Sequence, residues 1–288
     1  MVPRKCTIRY GTSIWPFFAK LIDVVPPTPS DFADSRVFPT ERLLESPEDV
    51  KLRRPSLSAV LSAIGDQKAL YLWQKAQIDD VGLAAFKSRM TERMVLGTKA
   101  HSKCEELLKT RADSTKNEQD LWKIIDAEKD AAIRNFAKSA LPLILEIQKP
   151  AEAICEKRVR HPKLAFQGRF DALVRHNDSW CILDWKTAPA QSAFSKQGEE
   201  SLSYIGYVRQ LAAYASAFNN DARFESAPMA QKALLVSLKE NGDPAEIFQI
   251  SGEELETTME DVKKKLEEFW NRVTAEKGDN VDFAYKPS

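Results

Sequence analysis

From residue 55 onward the apolar positions recur at intervals of three and four, the spacing of one face of an α-helix. Pro55-Ser56-Leu57-Ser58 opens the pattern with a serine able to cap a first turn. Leu57, Val60, Leu61 and Ile64 predict one short helix, residues 70–78 a second, 83–86 a third and 94–108 a fourth. A longer helix is predicted over 118–140, where Leu121, Ile124, Ile125, Ile133, Phe136 and Ala137 keep one face apolar before Pro142 interrupts.

At Ile154 the period shifts towards two, which predicts consecutive strands over 154–160, 164–166 and 169–174, then a turn at Asn177-Asp178 and a largely apolar strand over 180–186. A helix follows over 204–218. Residues 233–238 and 245–250 form a hairpin about the turn at Asn241-Gly242-Asp243-Pro244. Ser251 with Glu254 makes a capping box for a last helix with the stripe Leu255, Met259, Val262, Leu266, Phe269 and Val273. Helices before and after a small sheet give an α/β (α+β) chain.

The first 54 residues break this pattern. No acid precedes Asp23, while Arg4, Lys5, Arg9 and Lys20 are spaced by serine and threonine, as in an organelle transit peptide; Pro3 and Pro16 count against it. Residues 24–54 are rich in proline and acids. Residues 1–54 therefore read as a poorly ordered leader and linker, and 55–288 as a single folded domain.

Composition narrows the class. The chain has 288 residues, 42 Lys+Arg and 42 Asp+Glu, so its surface does not hold nucleic acid by bulk charge. The charge is uneven, with eight basic and four acidic residues over 87–116 against six and ten over 251–288. No apolar run is long enough to span a membrane. Cys6, Cys104, Cys155 and Cys181 form no C-x-x-C pair, which argues against a zinc ribbon or a disulfide framework.

The chemistry gathers at strand ends. Asp171 is followed thirteen residues later by Asp184 and, two further, by Lys186. Residues i and i+2 of a strand share a face, and a hairpin would bring Asp171 alongside. Neighbouring carboxylates repel unless a cation joins them, so a hard, oxygen-seeking metal such as Mg²⁺ is the natural partner. A lysine beside it can orient or deprotonate a water and offset phosphoryl charge, which is equipment for phosphodiester hydrolysis. A lone D-x-K is more often a strand end with an ion pair. Gln210 and Tyr214 lie one helical turn apart. Glu156, on the preceding strand, is a further acidic ligand or an ordinary strand charge. His161 and His176 sit beside turns and are expected to be exposed.

Gly168-Arg169-Phe170-Asp171, Asp184-Trp185-Lys186-Thr187 and Gln210 to Tyr214, in this order, resemble the G-x-x-D, D-x-K and Q-x-x-x-Y signature of the RecB-type branch of PD-(D/E)xK nucleases. Upstream, Gly97 and His101 resemble the helix that gives such nucleases a metal-binding histidine. Together with Pro55-Ser56 and Ala69-Leu70-Tyr71-Leu72, these motifs resemble the mitochondrial genome maintenance exonuclease family over residues 55–277. Arg169 and Trp73 do not fall on that family's positions.

That resemblance implies a restriction-endonuclease-like core, a central mixed sheet flanked by helices, behind an N-terminal helical arch. Residues 55–150 would hold the arch and the histidine helix, and 151–288 the catalytic sheet and C-terminal helices. It implies Mg²⁺ or Mn²⁺ on His101, Asp171, Asp184 and the main-chain carbonyl of Trp185, with Lys186 activating water and Gln210 and Tyr214 positioning DNA and the site. Tyr71, Trp73, Phe86 and Lys99 would line the arch. The implied activity is trimming of single-stranded DNA and flaps from a free end, by a monomer, in mitochondria. No iron–sulfur cluster is expected, since no cysteine follows Cys181. The competing readings are a nuclease fold that binds DNA without cutting it and a RecB-type nuclease outside mitochondria.

Overall fold

The computed structural model describes residues 3–12, 14, 16–187 and 202–287. A hairpin of β1 (Arg4–Gly11) and β2 (Pro16–Val24) comes first, then the short helices α1 (Pro29–Asp34) and α2 (Pro47–Val50). Five helices follow: α3 (Leu57–Ile64), α4 (Gln67–Val81), α5 (Leu83–Ala112), α6 (Glu118–Asp126) and α7 (Ala131–Glu146). The central strands β3 (Ile154–Arg160), β4 (Gln167–His176) and β5 (Ser179–Lys186) lead to α8 (Leu202–Asn220). The chain ends with β6 (Lys232–Ser237), β7 (Glu246–Ile250), α9 (Gly252–Ala275) and β8 (Asn280–Asp282).

The five central strands form one mixed sheet in the order β3-β4-β5-β6-β7. β5 and β6 are parallel, and every other neighbouring pair is antiparallel. Side chains alternate between the two faces, as the pleat demands. Cys181, Leu183 and Trp185 of β5 pack with Cys104, Leu107 and Leu108 of α5 and with Phe136 and Ile144 of α7. Ile182 faces the other way, into a cluster with Leu211, Ala215 and Phe218 of α8 and the apolar stripe of α9. The helices thus cover both faces, and each fully buried Leu, Ile or Phe contributes about 1.5–3 kcal/mol.

Among the described residues before 55, strands and short helices stand where the composition predicts a poorly ordered stretch. β1 lies between β2 and β8 in a second sheet, and Cys6, Ile8, Tyr10 and Ile22 share one apolar cluster with the central strands. The proline-rich stretch is tied down by distant groups: Glu256 accepts from the N–H of Val37 and Phe38, and Asn219 donates to the Val37 carbonyl. Buried Arg54 pairs with Glu45. Glu256 and Asn219 lie some 180 to 220 residues from the groups they hold, so local composition carries no sign of them.

Several element boundaries differ from the periodicity. Residues 83–86 and 94–108 belong to one helix of 30 residues, α5. Its middle is exposed almost all round, so it has no apolar stripe to read. The helix expected over 118–140 is broken into α6 and α7, because the Asp130 carboxylate caps a new start by accepting from Ala132 and Ile133 N–H. Pro142 does not end α7; the Ser139 carbonyl, in the turn before it, accepts the N–H of Ala245 (2.9 Å). Residues 164–166 form a loop rather than a strand, folded around His161.

His161 and His176 are buried rather than exposed. The His161 ring accepts the Leu164 N–H at Nδ1 (3.1 Å) and meets Ser216 Oγ through Nε2 (3.2 Å). Burial, reinforced by the Arg54 charge, pushes its pKa down to about 3.

Two outcomes test this architecture. Ile22→Ala, at a site 1% exposed, is expected to cost about 2–5 kcal/mol in urea unfolding, where the same change in an unstructured leader would cost nothing. The unfolded chain protonates His161 near the ordinary pKa of about 6.5, the folded chain only near about 3, so this group's stabilisation is complete above about 6.5 and is lost as the pH falls. Between pH 6.5 and 5 the loss is expected to be about 2 kcal/mol, at about 1.4 kcal/mol per unit. His161→Gln should flatten that part of the urea midpoint against pH.

Candidate active site

The antiparallel register of β4 and β5, with Ala172 opposite Leu183, brings Asp171 beside Asp184. The ladder then opens. On the other side, β3 and β4 pair at Cys155 with Ala172 and at Lys157 with Phe170, but not through Glu156 and Asp171 between them. Glu156 sits at φ +53°, a left-handed backbone that is costly for a glutamate and concentrates at functional sites. The interrupted ladder frees two carboxylates from the regular pleat at one point of the sheet.

α5 runs past this opening. Gly97 faces the end of β5, where an added Cβ would lie 3.4 Å from Thr187 Oγ1, and one turn later His101 Nδ1 stands 3.2 Å from Asp171 Oδ1. The other oxygen of Asp171 accepts the Trp185 N–H at 2.7 Å. One donor atom each from His101, Glu156 and Asp171 lie within 4.8 Å of one another.

Asp184 and Lys186 point towards α8. Lys186 Nζ is 2.6 Å from Asp184 Oδ2, donates to Gln210 Oε1 (3.4 Å) and sits 4.3 Å from the centre of the Tyr207 ring. The Gln210 amide in turn donates to the Tyr214 hydroxyl (3.2 Å) and, at a long 3.5 Å, to Asp184 Oδ1. Gln210 and Tyr214 thus stand behind the lysine. Tyr214 is buried, packed so closely on β4 that a Cβ at Gly168 would fall 2.2 Å from its Cε1. The glycine of the G-x-x-D motif is the space into which this ring fits.

The charges are strongly coupled. Burial pushes the Asp184 carboxyl up to about 6, Lys186 opposes that and Asp171 adds to it. For Lys186 burial works against the ammonium, yet Asp184 outweighs it and holds the pKa above the ordinary lysine range. His101 behaves alike: burial disfavours its charge, and the hydrogen bond and charge of Asp171 more than compensate. Glu156 is raised by burial and then by Asp171. Three carboxylates at one opening, with Asp184 Oδ2 buried and lacking any hydrogen bond besides its ion pair with Lys186, suit a divalent cation.

The residues expected along an arch do not meet the site in this way. Tyr71 rests on Tyr285, and Trp73 packs edge-on against buried Phe86. Lys99 is two residues from His101, about 200° around the helix, and lines an outer groove of about 520 Å³ with Arg89, Arg93 and Asp130. Tyr207 is a site residue that the motifs did not single out, although it lies one turn before Gln210 on the same helix.

Fold and site together define a class: a mixed five-stranded sheet flanked by helices, presenting G-x-x-D and D-x-K to one opening, is the core of a restriction-endonuclease-like nuclease. Residues 70–287, more than half of the chain, match the family described as the PD-(D/E)XK nuclease superfamily, and the chain belongs to it. Members of that superfamily are phosphodiester hydrolases that use divalent metals. A search of curated proteins found none that matches. Among solved structures, one titled "Crystal structure of SSO0001" is similar at 18% identity over 60% of this chain and 85% of that chain, with a TM-score of 0.25, a superposition too poor to bear on the site.

The Gly168 contact is open to test. Gly168→Ala is expected to cost about 1–3 kcal/mol in denaturant unfolding by displacing the Tyr214 ring. A double-mutant cycle with Tyr214→Ala should recover most of that cost.

Proposed function

We propose that the protein is a Mg²⁺- or Mn²⁺-dependent exonuclease that shortens single-stranded DNA and flaps from a free end. One observation carries this function: Asp184, Lys186 and Gln210 form a buried network directly beside the His101–Asp171 pair. His101, Asp171 and Asp184 would hold the cation, with the Trp185 carbonyl as a further ligand. The cation, when bound, supplies polarisation of the phosphoryl oxygen and a more acidic water.

The chain's own groups do the rest. Trp185 N–H fixes one oxygen of Asp171 and leaves the other facing His101. Gln210 holds the Lys186 ammonium in place, and Tyr207 shields it from one side. Because Asp184 keeps Lys186 protonated, its part is to donate to the attacking water and to offset charge growing on the phosphate. A preference for single strands is supported by the exposed helical arm, α4 with the first half of α5, which carries Trp73, Arg89 and Arg93. A role in maintaining mitochondrial DNA rests on the resemblance of the motifs to that exonuclease family.

Single-stranded DNA labelled separately at each end, and a closed circle, would be incubated with purified protein in Mg²⁺, Mn²⁺ or EDTA. Linear strands should shorten, while the circle and the EDTA samples stay intact. Asp184→Asn and Lys186→Ala are each expected to lower the rate at least about 100-fold. Unchanged hydrolysis in either variant would remove the assignment, and cutting of the circle would remove the requirement for a free end. Imaging of the full-length tagged protein decides the compartment.

A further inference from the structure

Glu156 and Arg169 meet at the lip of the site, and the hydrolysis described above gives neither of them a task. Arg169 Nε lies 3.0 Å from Glu156 Oε2, and that oxygen is buried with no hydrogen-bond partner beyond this ion pair. The two side chains differ in exposure: Glu156 is 15% exposed and Arg169 62%. An ion pair with one partner largely in water contributes only about 0–1 kcal/mol, so it exchanges readily for a stronger partner.

Stronger partners are at hand for both. The Glu156 carboxylate already lies within 4.8 Å of donor atoms of His101 and Asp171, in the interrupted stretch of the β3–β4 ladder. Neighbouring ligands of an octahedral Mg²⁺ or Mn²⁺ are about 3 Å apart, given bonds of about 2.1 Å, so small rotamer changes close such a set. Glu156 presents its carboxylate there from a left-handed backbone, a strained conformation of the kind that clusters at functional sites. Arg169, two residues before Asp171 and reaching into solvent, carries the planar fork that suits a phosphate diester.

We propose that Glu156 is a further ligand of the divalent cation, held by Arg169 until the cation draws it inwards, and that the released Arg169 guanidinium then takes a backbone phosphate of the substrate at the lip. The exchange rests on the metal-dependent reading of the site. It makes cation loading and DNA binding reciprocal: each raises the affinity of the other by the same factor.

The test is binding, measured apart from hydrolysis. Mn²⁺ would be titrated into full-length wild type, Glu156→Gln and Arg169→Gln, with free Mn²⁺ followed by electron paramagnetic resonance. Glu156→Gln is expected to weaken Mn²⁺ about tenfold, and Arg169→Gln, which removes the competitor, to tighten it about two- to fivefold. Fluorescence anisotropy of an oligothymidylate, in EDTA and in Ca²⁺, should show a metal-dependent gain in affinity for wild type that Arg169→Gln loses. A pair that merely braces the fold would shift Mn²⁺ affinity in the same direction in both variants and lower both melting temperatures. Arg169→Gln, at an exposed position, folds in any case and decides the sign alone.

Mn²⁺ affinity of Glu156→Gln within twofold of wild type, or an undiminished metal-dependent gain in Arg169→Gln, overturns the exchange. Glu156-dependent Mn²⁺ binding without DNA hydrolysis would sink the nuclease assignment and leave the exchange standing. Hydrolysis with Glu156-independent Mn²⁺ binding would do the reverse.

Discussion

Burying like charges is the constraint around which this molecule is built. Asp171 and Asp184 come from neighbouring strands and are 9% and 3% exposed, and burial, with Asp171 adding to it, raises the Asp184 pKa. Taking one carboxylate out of water costs several kcal/mol, and a second of the same sign adds repulsion. Only a matching set of cations and donors makes the arrangement tolerable. Lys186, the Trp185 N–H, His101 and Gln210 are that set, and each comes from a different part of the fold or a different strand position. The carboxylate oxygens gathered there are hard donors of the kind a divalent cation takes.

Meeting that constraint fixes much of the architecture. Two antiparallel strands in register place Asp171 against Asp184, while the parallel β5–β6 pair leaves room for α8 to cross the sheet and deliver Gln210. α5 is long because it does two things: its C-terminal half packs Cys104, Leu107 and Leu108 into the core, and that anchoring holds His101 at the opening. Gly168 then lets Tyr214 lie flat against β4, and Tyr214 holds Gln210. The opening in the β3–β4 ladder is the local cost of releasing Asp171 from the pleat, and the packed helices on both faces offset it.

Elements with a full apolar stripe could be read directly from the chain. The stripe of α9 is buried residue for residue, and β6 and β7 pair as the turn at Asn241-Gly242 implied. Asp171, Asp184, Lys186, Gln210 and Tyr214 converge because short-range rules, i and i+2 on a strand and i and i+4 on a helix, are enough to orient them. Other features answer to distant partners. The stretch before residue 55 looks like a leader locally, but β1 pairs with β8, and Val37 is held by Glu256 and Asn219. His161 looks exposed beside its turn, yet Ser216 closes over it from α8. The middle of α5 shows no period because solvent surrounds it. Glu156 could not be weighed from its strand, since what places it is an interrupted ladder and a left-handed backbone rather than an alternation.

The same electrostatics limit what Lys186 can do. A lysine serves as a base only when its pKa falls towards neutrality, as desolvation alone would make it do. Here desolvation is present, but Asp184 at 2.6 Å reverses the sign, and the ammonium persists. Tyr207, with its ring against Nζ, strengthens that preference, because an aromatic face favours the cation. Asp184 therefore has two roles that cannot be separated by mutation: it offers an oxygen to the opening and it keeps Lys186 charged. Removing its charge would take an oxygen from the proposed cation site and at the same time leave the buried Lys186 without its nearest counter-charge, with Asp171 the remaining acid acting on it. The aspartate and the lysine of D-x-K thus act as one unit, and the single residue between them serves both by lending its N–H to Asp171.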